Sequence, residues 1–307
     1  MKVNIANTDL EPLSRLGLGT VGAGTKWSGA EAGRIFDTYV GCGGNVIDTA
    51  RVYSVIADSE PTIGAWLRRS RKRHQVVIVS KGGHPEIKSW PPDMHAFRLS
   101  REEMTADLDA SLAALGTDYI DIYLYHRDDP KRSVEELVET MENFVRQGKI
   151  RYYGVSNWTL DRIQAAQDYA ASRGLRGFVM NQALFNAGSD HMPAPSDDTL
   201  VKVDTQMQIY HRNLQNSSMD ILCAGFSGNC GGFFQQYLKG GADAVRDKTY
   251  LSPENIKKAE QIHADASANG TTILQEVLSF YRKTDFPCIG LFGPRDAAGI
   301  AEAMKGF

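Results

Sequence analysis

The chain has 307 residues, of which 42% are hydrophobic and 23% charged, which suits one large domain or two ordinary ones with a substantial core. A net charge of -3 and a pI of about 6.2 argue against a nucleic-acid partner. No apolar run approaches the length of a membrane span, and the first residues do not form a signal peptide. The four cysteines make no Cys-x-x-Cys pair, which fits a reducing compartment. These features predict a cytoplasmic protein with no membrane partner.

Strand-like apolar segments alternate with helix-like segments along the chain. After a first strand at residues 16–20, strands are predicted near Val46, Val76, Tyr119, Tyr152 and Phe178 and over residues 221–226 and 288–292. The predicted helices cover residues 30–40, 60–70, 101–115, 134–147, 160–172, 200–214, 273–283 and 296–304, and another begins near Ser252. A helix between successive strands implies parallel strands and right-handed crossovers. The pattern predicts an α/β fold in which residues 1–307 form a single (β/α)8 TIM barrel, with its chemistry at the C-terminal strand ends.

Local signals mark several boundaries of these elements. Ser100 and Ser133 are each followed three residues later by a glutamate, which predicts a capping box at the start of a helix. Gly116 follows a predicted helix and should end it in a left-handed conformation. Residues 189–198 are polar and contain proline, which predicts a long loop, and the glycine-rich residues 227–232 predict a flexible one.

The first strand contains Gly17-x-Gly19-x-x-Gly22, which formally matches the dinucleotide-binding fingerprint. That fingerprint requires a helix to open within the motif, so that the helix N-terminus can hold a pyrophosphate. Residues 23–29 are a poor helix start, which disfavours a Rossmann domain. The glycines are better explained by a close approach of the backbone to a ligand, or by a turn at a barrel mouth.

Four polar residues lie at, or just beyond, the ends of three predicted strands. Asp48 ends one strand, and Tyr53 lies on the loop beyond it. Lys81 and His126 each follow a later strand directly. If these strands lie parallel in one barrel, all four side chains converge on one face of the molecule.

The segments that carry these residues resemble the tetrad motifs of the aldo-keto reductase family. They read Asp-Thr-Ala-x-x-Tyr, Ser-Lys-Gly-Gly and Leu-Tyr-His-Arg-Asp-Asp-Pro in this order, and the likeness extends from about Leu16 to Arg295. Each residue alone also has an ordinary explanation, such as a turn acid, a surface aromatic or a structural histidine. Their joint occurrence at strand ends favours the resemblance, which implies that all four are catalytic.

The resemblance implies reversible hydride transfer between NAD(P)H and an aldehyde or ketone, and the four side chains suit that chemistry. A tyrosine has an unperturbed pKa of about 10, which is too high for easy proton donation near neutrality. Lys81 is expected to lower the pKa of Tyr53 by stabilising the phenolate, and Asp48 is expected to hold Lys81 in place. His126 is expected to hydrogen-bond the carbonyl oxygen and orient it.

The resemblance also implies a site for NADP(H), with NAD(H) as the less favoured cofactor. Ser156, Asn157 and Gln182 match the family residues that bind the nicotinamide carboxamide, and an amide can both donate and accept. Phe226 stands where the family has a stacking tyrosine, and Arg295 matches the arginine that meets the adenosine 2′-phosphate. The implied cofactor-binding residues are Gly19, Thr20, Asp48, Ser156, Asn157, Gln182, Phe226, Ser227, Gly228, Asn229, Gly293 and Arg295.

The adenine end of the implied cofactor site departs from the family pattern. Gly299 and Ala303 stand where the family has a glutamine and an asparagine that contact the adenine, whereas Glu302 is retained. The resemblance therefore leaves the strength of the NADP preference open.

Trp27, Trp90 and Trp158 are candidates for the substrate pocket, and each is equally compatible with packing. The expected partner is a small carbonyl or alcohol substrate. Asp128 and Asp129 follow the tetrad histidine, but the chain has no His-x-His pair of the kind that often opens a metal site in barrels. A turn before a helix explains the two acids, and no metal is expected.

An alternative from another class is a non-catalytic NADP-binding regulatory subunit, because some relatives of this barrel serve ion channels in that way. The complete tetrad favours catalysis, although binding relatives can retain it. Consumption of NADPH with simple aldehydes would separate the two functions.

Overall fold

The computed structural model describes residues 2–87, 91–215 and 217–307. Within these residues a hairpin of β1 (Lys2–Val3) and β2 (Leu13–Ser14) precedes a closed barrel of eight parallel strands. The barrel strands are β3 (Leu16–Gly19), β4 (Val46–Asp48), β5 (Val77–Gly82), β6 (Ile120–Tyr125), β7 (Ile150–Ser156), β8 (Met180–Leu184), β9 (Leu222–Phe226) and β10 (Cys288–Phe292). They pair in sequence order, and β10 closes on β3. The predicted (β/α)8 TIM barrel is confirmed.

Helices occupy the connections between the barrel strands, as the alternation predicted. Their bounds are α1 (Gly29–Gly41), α2 (Arg51–Ala57), α3 (Ser59–Ser70), α4 (Arg101–Leu115), α5 (Val134–Arg146), α6 (Leu160–Ser172), α7 (Thr205–Leu214), α8 (Phe233–Ala244), α9 (Pro253–Asn269), α10 (Ile273–Leu278), α11 (Phe280–Lys283) and α12 (Ala297–Met304). None of the helices in the described part of the chain is both long and apolar enough to cross a membrane.

The predicted helix ends are largely explained by local hydrogen bonds. Ser100 accepts from the backbone of Glu103, whose carboxylate accepts in return from the Ser100 backbone, so the capping box of α4 is complete. Gly116 ends α4 with φ 65°, as predicted. At α5 only half of the predicted box forms: Ser133 accepts from the backbone of Glu136, whereas the Glu136 carboxylate pairs with an arginine.

Four helical segments differ from the sequence prediction. Tyr53 lies on α2 rather than on a loop, and α8 occupies a segment to which no helix was assigned. The buried Phe233 and Phe234 anchor α8, although its glycines disfavour a helix and Gly240 and Gly241 leave the helical conformation. Helix α7 begins at Thr205 rather than at residue 200, and the predicted helix over residues 273–283 is divided at Ser279.

The period-two alternation of the strands explains why polar residues meet at one end of the barrel. Val79 and Leu124 belong to the aliphatic cluster that fills the barrel interior. Lys81 and His126 follow them by two residues on the same chain segments, so they face the same interior one layer higher. Asp48 likewise follows Val46 of this cluster by two residues on β4 and faces the same interior. The aliphatic layers therefore form a floor beneath the polar one.

The opposite end of the barrel is closed by the N-terminal hairpin, which the sequence analysis did not predict. Val3, Ile5 and Leu13 are buried and join the interior cluster. The hairpin thus covers the N-terminal ends of the strands, and the C-terminal ends form the mouth in which the polar residues lie.

Candidate active site

The centre of the site is a buried ion pair between Lys81 on β5 and Asp48 on β4. Lys81 Nζ lies 2.9 Å from Asp48 Oδ1 and 3.0 Å from Oδ2, and it donates to the Thr49 carbonyl oxygen at 2.6 Å. Gln182 Nε2 donates to Asp48 Oδ1 at 2.8 Å. Lys81 is 0% exposed and Asp48 is 4% exposed. Removing one partner would leave an uncompensated buried charge, which typically costs about 3–5 kcal/mol.

Tyr53 lies beside this ion pair on α2, the helix that begins just beyond β4. Lys81 Nζ is 5.1 Å from the centroid of the Tyr53 ring. The ring centroids of Tyr53 and His126 are 5.7 Å apart, and the two rings meet edge to face at 82°. The structure therefore brings the side chains of Asp48, Tyr53, Lys81 and His126 together, although their catalytic roles remain a prediction.

The pKa of Tyr53 departs from the sequence expectation. Burial of the phenol raises its pKa, and this effect outweighs the opposing charge of Lys81, while Asp48 adds to the upward shift. Lys81 acts in the expected direction, but Asp48 neutralises much of its charge at short range. The phenol is therefore held in its protonated form.

His126 has the environment of a neutral imidazole. Burial lowers the pKa of His126 well below its ordinary value, and the nearby charge of Lys81 acts in the same direction. Its Nδ1 is buried and has no hydrogen-bond partner among the described residues. His84, which the sequence analysis did not single out, packs against it with ring centroids 4.9 Å apart. The one sequence signal for a role of His84 is its position directly after the Ser-Lys-Gly-Gly motif.

The three residues implied for the carboxamide lie together at the ends of β7 and β8. Asn157 Nδ2 donates to Ser156 Oγ at 3.0 Å, and Asn157 Oδ1 accepts from the Val201 N–H at 3.2 Å. Asn157 has φ 59°, a left-handed conformation that strains most non-glycine residues. Since the Gln182 amide nitrogen is bonded to Asp48, the Ser156 hydroxyl proton and Gln182 Oε1 are the groups best placed for a carboxamide. This donor and acceptor pair fits the group.

The segment implied for stacking and phosphate contacts is closely packed at Gly228. Phe226 is half-buried at the end of β9. The Gly228 N–H bonds to the Leu291 carbonyl oxygen at 2.9 Å, and a Cβ at Gly228 would lie 2.7 Å from that oxygen. Ser227 is exposed with φ 56°, and Asn229 accepts from a glutamine amide at 2.8 Å. A side chain at Gly228 would displace the loop, so glycine is required there.

The other implied cofactor residues lie where β3 and β10 adjoin. Thr20 is buried, and its hydroxyl donates to the Asp48 carbonyl oxygen at 2.8 Å, which supports the ion pair. A Cβ at Gly293 would lie 3.4 Å from the Gly19 carbonyl oxygen, so the two backbones approach closely. Arg295 is exposed just beyond β10.

Comparison with known proteins assigns the family. The family model described as "Aldo/keto reductase family" matches residues 15–281, most of the chain. The chain belongs to the aldo/keto reductase family.

Several curated reductases and dehydrogenases of this family are similar to the chain over part of their length. An aryl-alcohol dehydrogenase of Pestalotiopsis microspora is 30% identical over 188 residues, which covers 57% of this chain and 47% of that protein. The NADP(+) aryl-alcohol dehydrogenase of Phanerodontia chrysosporium is 28% identical over 226 residues, covering 69% and 56%. An aldo-keto reductase of Bacillus subtilis is 34% identical over 164 residues, covering 52% and 48%. The chain thus spans about half the length of the curated relatives that it matches.

Two of the three candidate pocket tryptophans, Trp27 and Trp158, do not present open ring surfaces. Trp158 is 0% exposed, donates its indole N–H to the Arg127 carbonyl oxygen at 3.2 Å and stacks on Tyr125. Trp27 is 2% exposed and packs edge to face on Phe36. Trp90 lies outside the described residues. Packing accounts for the first two, and their place in a substrate pocket remains a prediction.

The residue after the tetrad histidine fastens a distant loop to the candidate site. Arg127 is buried, and its guanidinium donates to the His126 carbonyl oxygen at 3.0 Å. The same group donates to Asp197 at 3.1 Å and to Thr199 at 2.9 Å. The predicted loop between β8 and α7 is thereby held against the end of β6. The sequence analysis missed this arginine, although it stands in the tetrad motif itself.

The acids considered for a metal site have other partners. Arg162 forms two hydrogen bonds of 2.9 Å to the Asp128 carboxylate, and Arg132 lies 3.5 Å from the Asp129 carboxylate. Within the part of the chain that the structure describes, no group of three or more histidines, cysteines or acids is arranged to hold a metal ion.

Proposed function

We propose that this aldo/keto reductase interconverts a carbonyl compound and its alcohol with NADP(H), using Tyr53 as the general acid and base. The observation that carries the proposal is the buried Lys81–Asp48 ion pair at the barrel mouth, with the rings of Tyr53 and His126 beside it. Such an arrangement supports a mechanism in which a proton donor and a carbonyl-orienting group act on the same oxygen.

The cofactor-binding residues fit NADP(H) by their chemistry. The Ser156 hydroxyl and the Gln182 amide oxygen would hold the carboxamide, and Phe226 would stack on the ring. The exposed Arg295 would form a forked contact with the 2′-phosphate. When bound, the nicotinamide supplies the hydride for reduction or accepts it in the reverse direction.

The protein residues then control the proton and the orientation of the substrate. Neutral His126 donates a hydrogen bond to the carbonyl oxygen and fixes its direction. Tyr53 transfers its proton to that oxygen as negative charge develops there, and the ammonium of Lys81 stabilises the phenolate that remains. Asp48 holds Lys81 in place for this role. For alcohol oxidation the same phenolate accepts the proton.

Aromatic aldehydes and alcohols are the first substrates to test. Two of the similar proteins are aryl-alcohol dehydrogenases, one of them named for NADP(+). The test is the oxidation of NADPH by the purified chain with a panel of aryl, aliphatic and sugar aldehydes. Tight NADPH binding without turnover on any of them would instead support the regulatory-subunit function and refute the proposal.

Arg295→Ala is expected to weaken NADPH binding roughly tenfold and to leave NADH binding nearly unchanged. A hydrogen bond to a charged group contributes more than a neutral one, but an exposed pair is screened by solvent. Fluorescence titration of both cofactors against the unmutated chain and the variant measures the effect. Equal affinity for NADPH and NADH in the unmutated chain would show that Arg295 does not read the 2′-phosphate.

The rate of reduction is expected to stay constant through neutral pH and to fall only on the alkaline side. The acid must carry its proton for reduction, and burial raises the pKa of Tyr53. The rate of alcohol oxidation should rise with pH, because that direction needs the phenolate. Profiles of kcat/KM in both directions provide the test. A fall in the rate of reduction when the pH drops below about 6.5, the ordinary pKa of histidine, would contradict the neutral state assigned to His126.

A further inference from the structure

The first turn of α3 places two buried polar side chains beside the tetrad. Ser59 and Glu60 are both 0% exposed. The Ser59 hydroxyl donates to the Thr20 carbonyl oxygen at 2.8 Å and lies 3.2 Å from the Thr49 hydroxyl. Ser59 therefore ties together the chain segments that follow β3 and β4, close to Asp48.

Glu60 makes a more specific pair of contacts. Its Oε2 accepts from the Ser54 hydroxyl at 2.8 Å, and its Oε1 accepts from the Ser80 hydroxyl at 2.7 Å. The Glu60 N–H also donates to Ser54 Oγ at 3.3 Å. Ser54 directly follows Tyr53, and Ser80 directly precedes Lys81. The Glu60 carboxylate thus joins Ser54 and Ser80. These are the chain neighbours of Tyr53, the proposed proton donor, and of Lys81, the proposed activating group.

The chemistry of Glu60 is unusual for a residue that only packs. A buried carboxylate costs free energy unless it is paired or well hydrogen-bonded. The ion pairs formed within the described part of the chain do not include Glu60, so its hydrogen bonds come from hydroxyl groups. A residue that filled the same space without charge would avoid this cost, which points to a geometric role for the two carboxylate oxygens.

We propose that Glu60 is a positioning residue that fixes the distance between Tyr53 on α2 and Lys81 on β5. The inference rests on the proposed function, because it concerns the proton transfer from Tyr53. Without the carboxylate, α2 and β5 are still held by packing, but the hydrogen bonds by which Ser54 and Ser80 meet at one side chain are lost. Displacement of a reacting group by about 1 Å can lower a rate about 100-fold.

The central test compares Glu60→Ala, which removes both contacts, with the conservative variant Glu60→Gln. The glutamine can accept from one serine with its oxygen and donate to the other with its nitrogen, so it should restore most of the function. We expect kcat to fall about 100-fold in Glu60→Ala and less than about tenfold in Glu60→Gln. NADPH affinity and the number of NADPH sites per chain should remain unchanged in both variants.

Two further measurements separate positioning from a structural defect. Slower proton transfer in Glu60→Ala should increase the solvent deuterium isotope effect on kcat, whereas partial unfolding would lower the number of NADPH sites and leave the isotope effect unchanged. In a Tyr53→Phe background, Glu60→Ala should cause little further loss, because both changes act on one proton transfer. An unchanged isotope effect or a full additional loss in the double variant would overturn the proposal.

If Glu60→Ala does not fold, Ser54→Ala and Ser80→Ala each remove one of the two contacts. Each should lower kcat by about three- to tenfold, which is the effect expected from the loss of one hydrogen bond. Each should also increase the solvent isotope effect. Ser279→Ala is the matched control: Ser279 is also buried and donates to a glutamate carboxylate at 3.1 Å, but it lies between α10 and α11. Loss in the control equal to that in both serine variants would refute the positioning role. If the unmutated chain reduces no aldehyde, the proposed function fails first and the positioning role fails with it.

Discussion

Replacing Tyr53 with phenylalanine is expected to lower kcat for carbonyl reduction by about 10²–10⁴-fold, the usual contribution of general acid catalysis. The substitution removes the proton and keeps the ring that packs edge to face on His126. NADPH binding should survive, because the residues implied for the cofactor do not include the Tyr53 hydroxyl. Steady-state rates with an aryl aldehyde and fluorescence titration of NADPH measure the two quantities.

The control for this variant is a substitution of an exposed neighbour on the same helix. Val55 is 63% exposed, so Val55→Ala should leave both the rate and the folding of α2 nearly unchanged. A Tyr53→Phe chain that binds NADPH normally and reduces the aldehyde within a few-fold of the original rate would show that the acid is another group.

Lys81→Met is expected to cause the largest loss of stability of any change in the site, together with the loss of turnover. It removes the cation from a pair whose lysine is 0% exposed and leaves Asp48 buried with Gln182 as its remaining side-chain donor. Breaking a buried pair on one side typically costs about 3–5 kcal/mol. Urea unfolding of the variant should show this decrease in the free energy of unfolding.

The double variant Lys81→Met/Asp48→Asn distinguishes the charge from the packing. It removes both charges, so it should regain a large part of the lost stability while turnover stays low. If the single Lys81→Met variant is as stable as the unmutated chain, the ion pair is not the buried electrostatic unit that its distances indicate. If the double variant is no more stable than the single one, the loss arises from packing.

The positions of the tetrad residues could be predicted because the signals are local. The alternation of a strand fixes which residues share its inner face, so Asp48, Lys81 and His126 could be placed at strand ends, and the resemblance to the family's tetrad motifs then marked them as candidate catalytic residues. The parallel order followed from the intervening helices. The closure of the barrel then brought these strand ends to one mouth.

The contacts that support these residues could not be predicted, because they join distant parts of the chain. Arg127 reaches Asp197, and Glu60 reaches Ser80, through tertiary packing that no local pattern encodes. Helix α8 was not predicted because its glycines disfavour a helix, whereas the burial of Phe233 and Phe234 that stabilises it depends on tertiary packing. The net rise in the pKa of Tyr53 could not be predicted, because the extent of its burial depends on the assembled barrel.

The aliphatic floor beneath the ion pair limits the routes by which a proton can reach the site. Val79 and Leu124 lie in the dry interior directly below Lys81 and His126, and the hairpin residue Leu13 is 1% exposed at the far end. The buried side chains of this cluster are apolar and offer no donor or acceptor that could relay a proton along the barrel axis. Under the proposed mechanism, Tyr53 would recover its proton after each reduction from the side of the mouth, which is also where the alcohol would leave. The return of the proton to Tyr53 and the release of the alcohol would then use the same opening, one after the other.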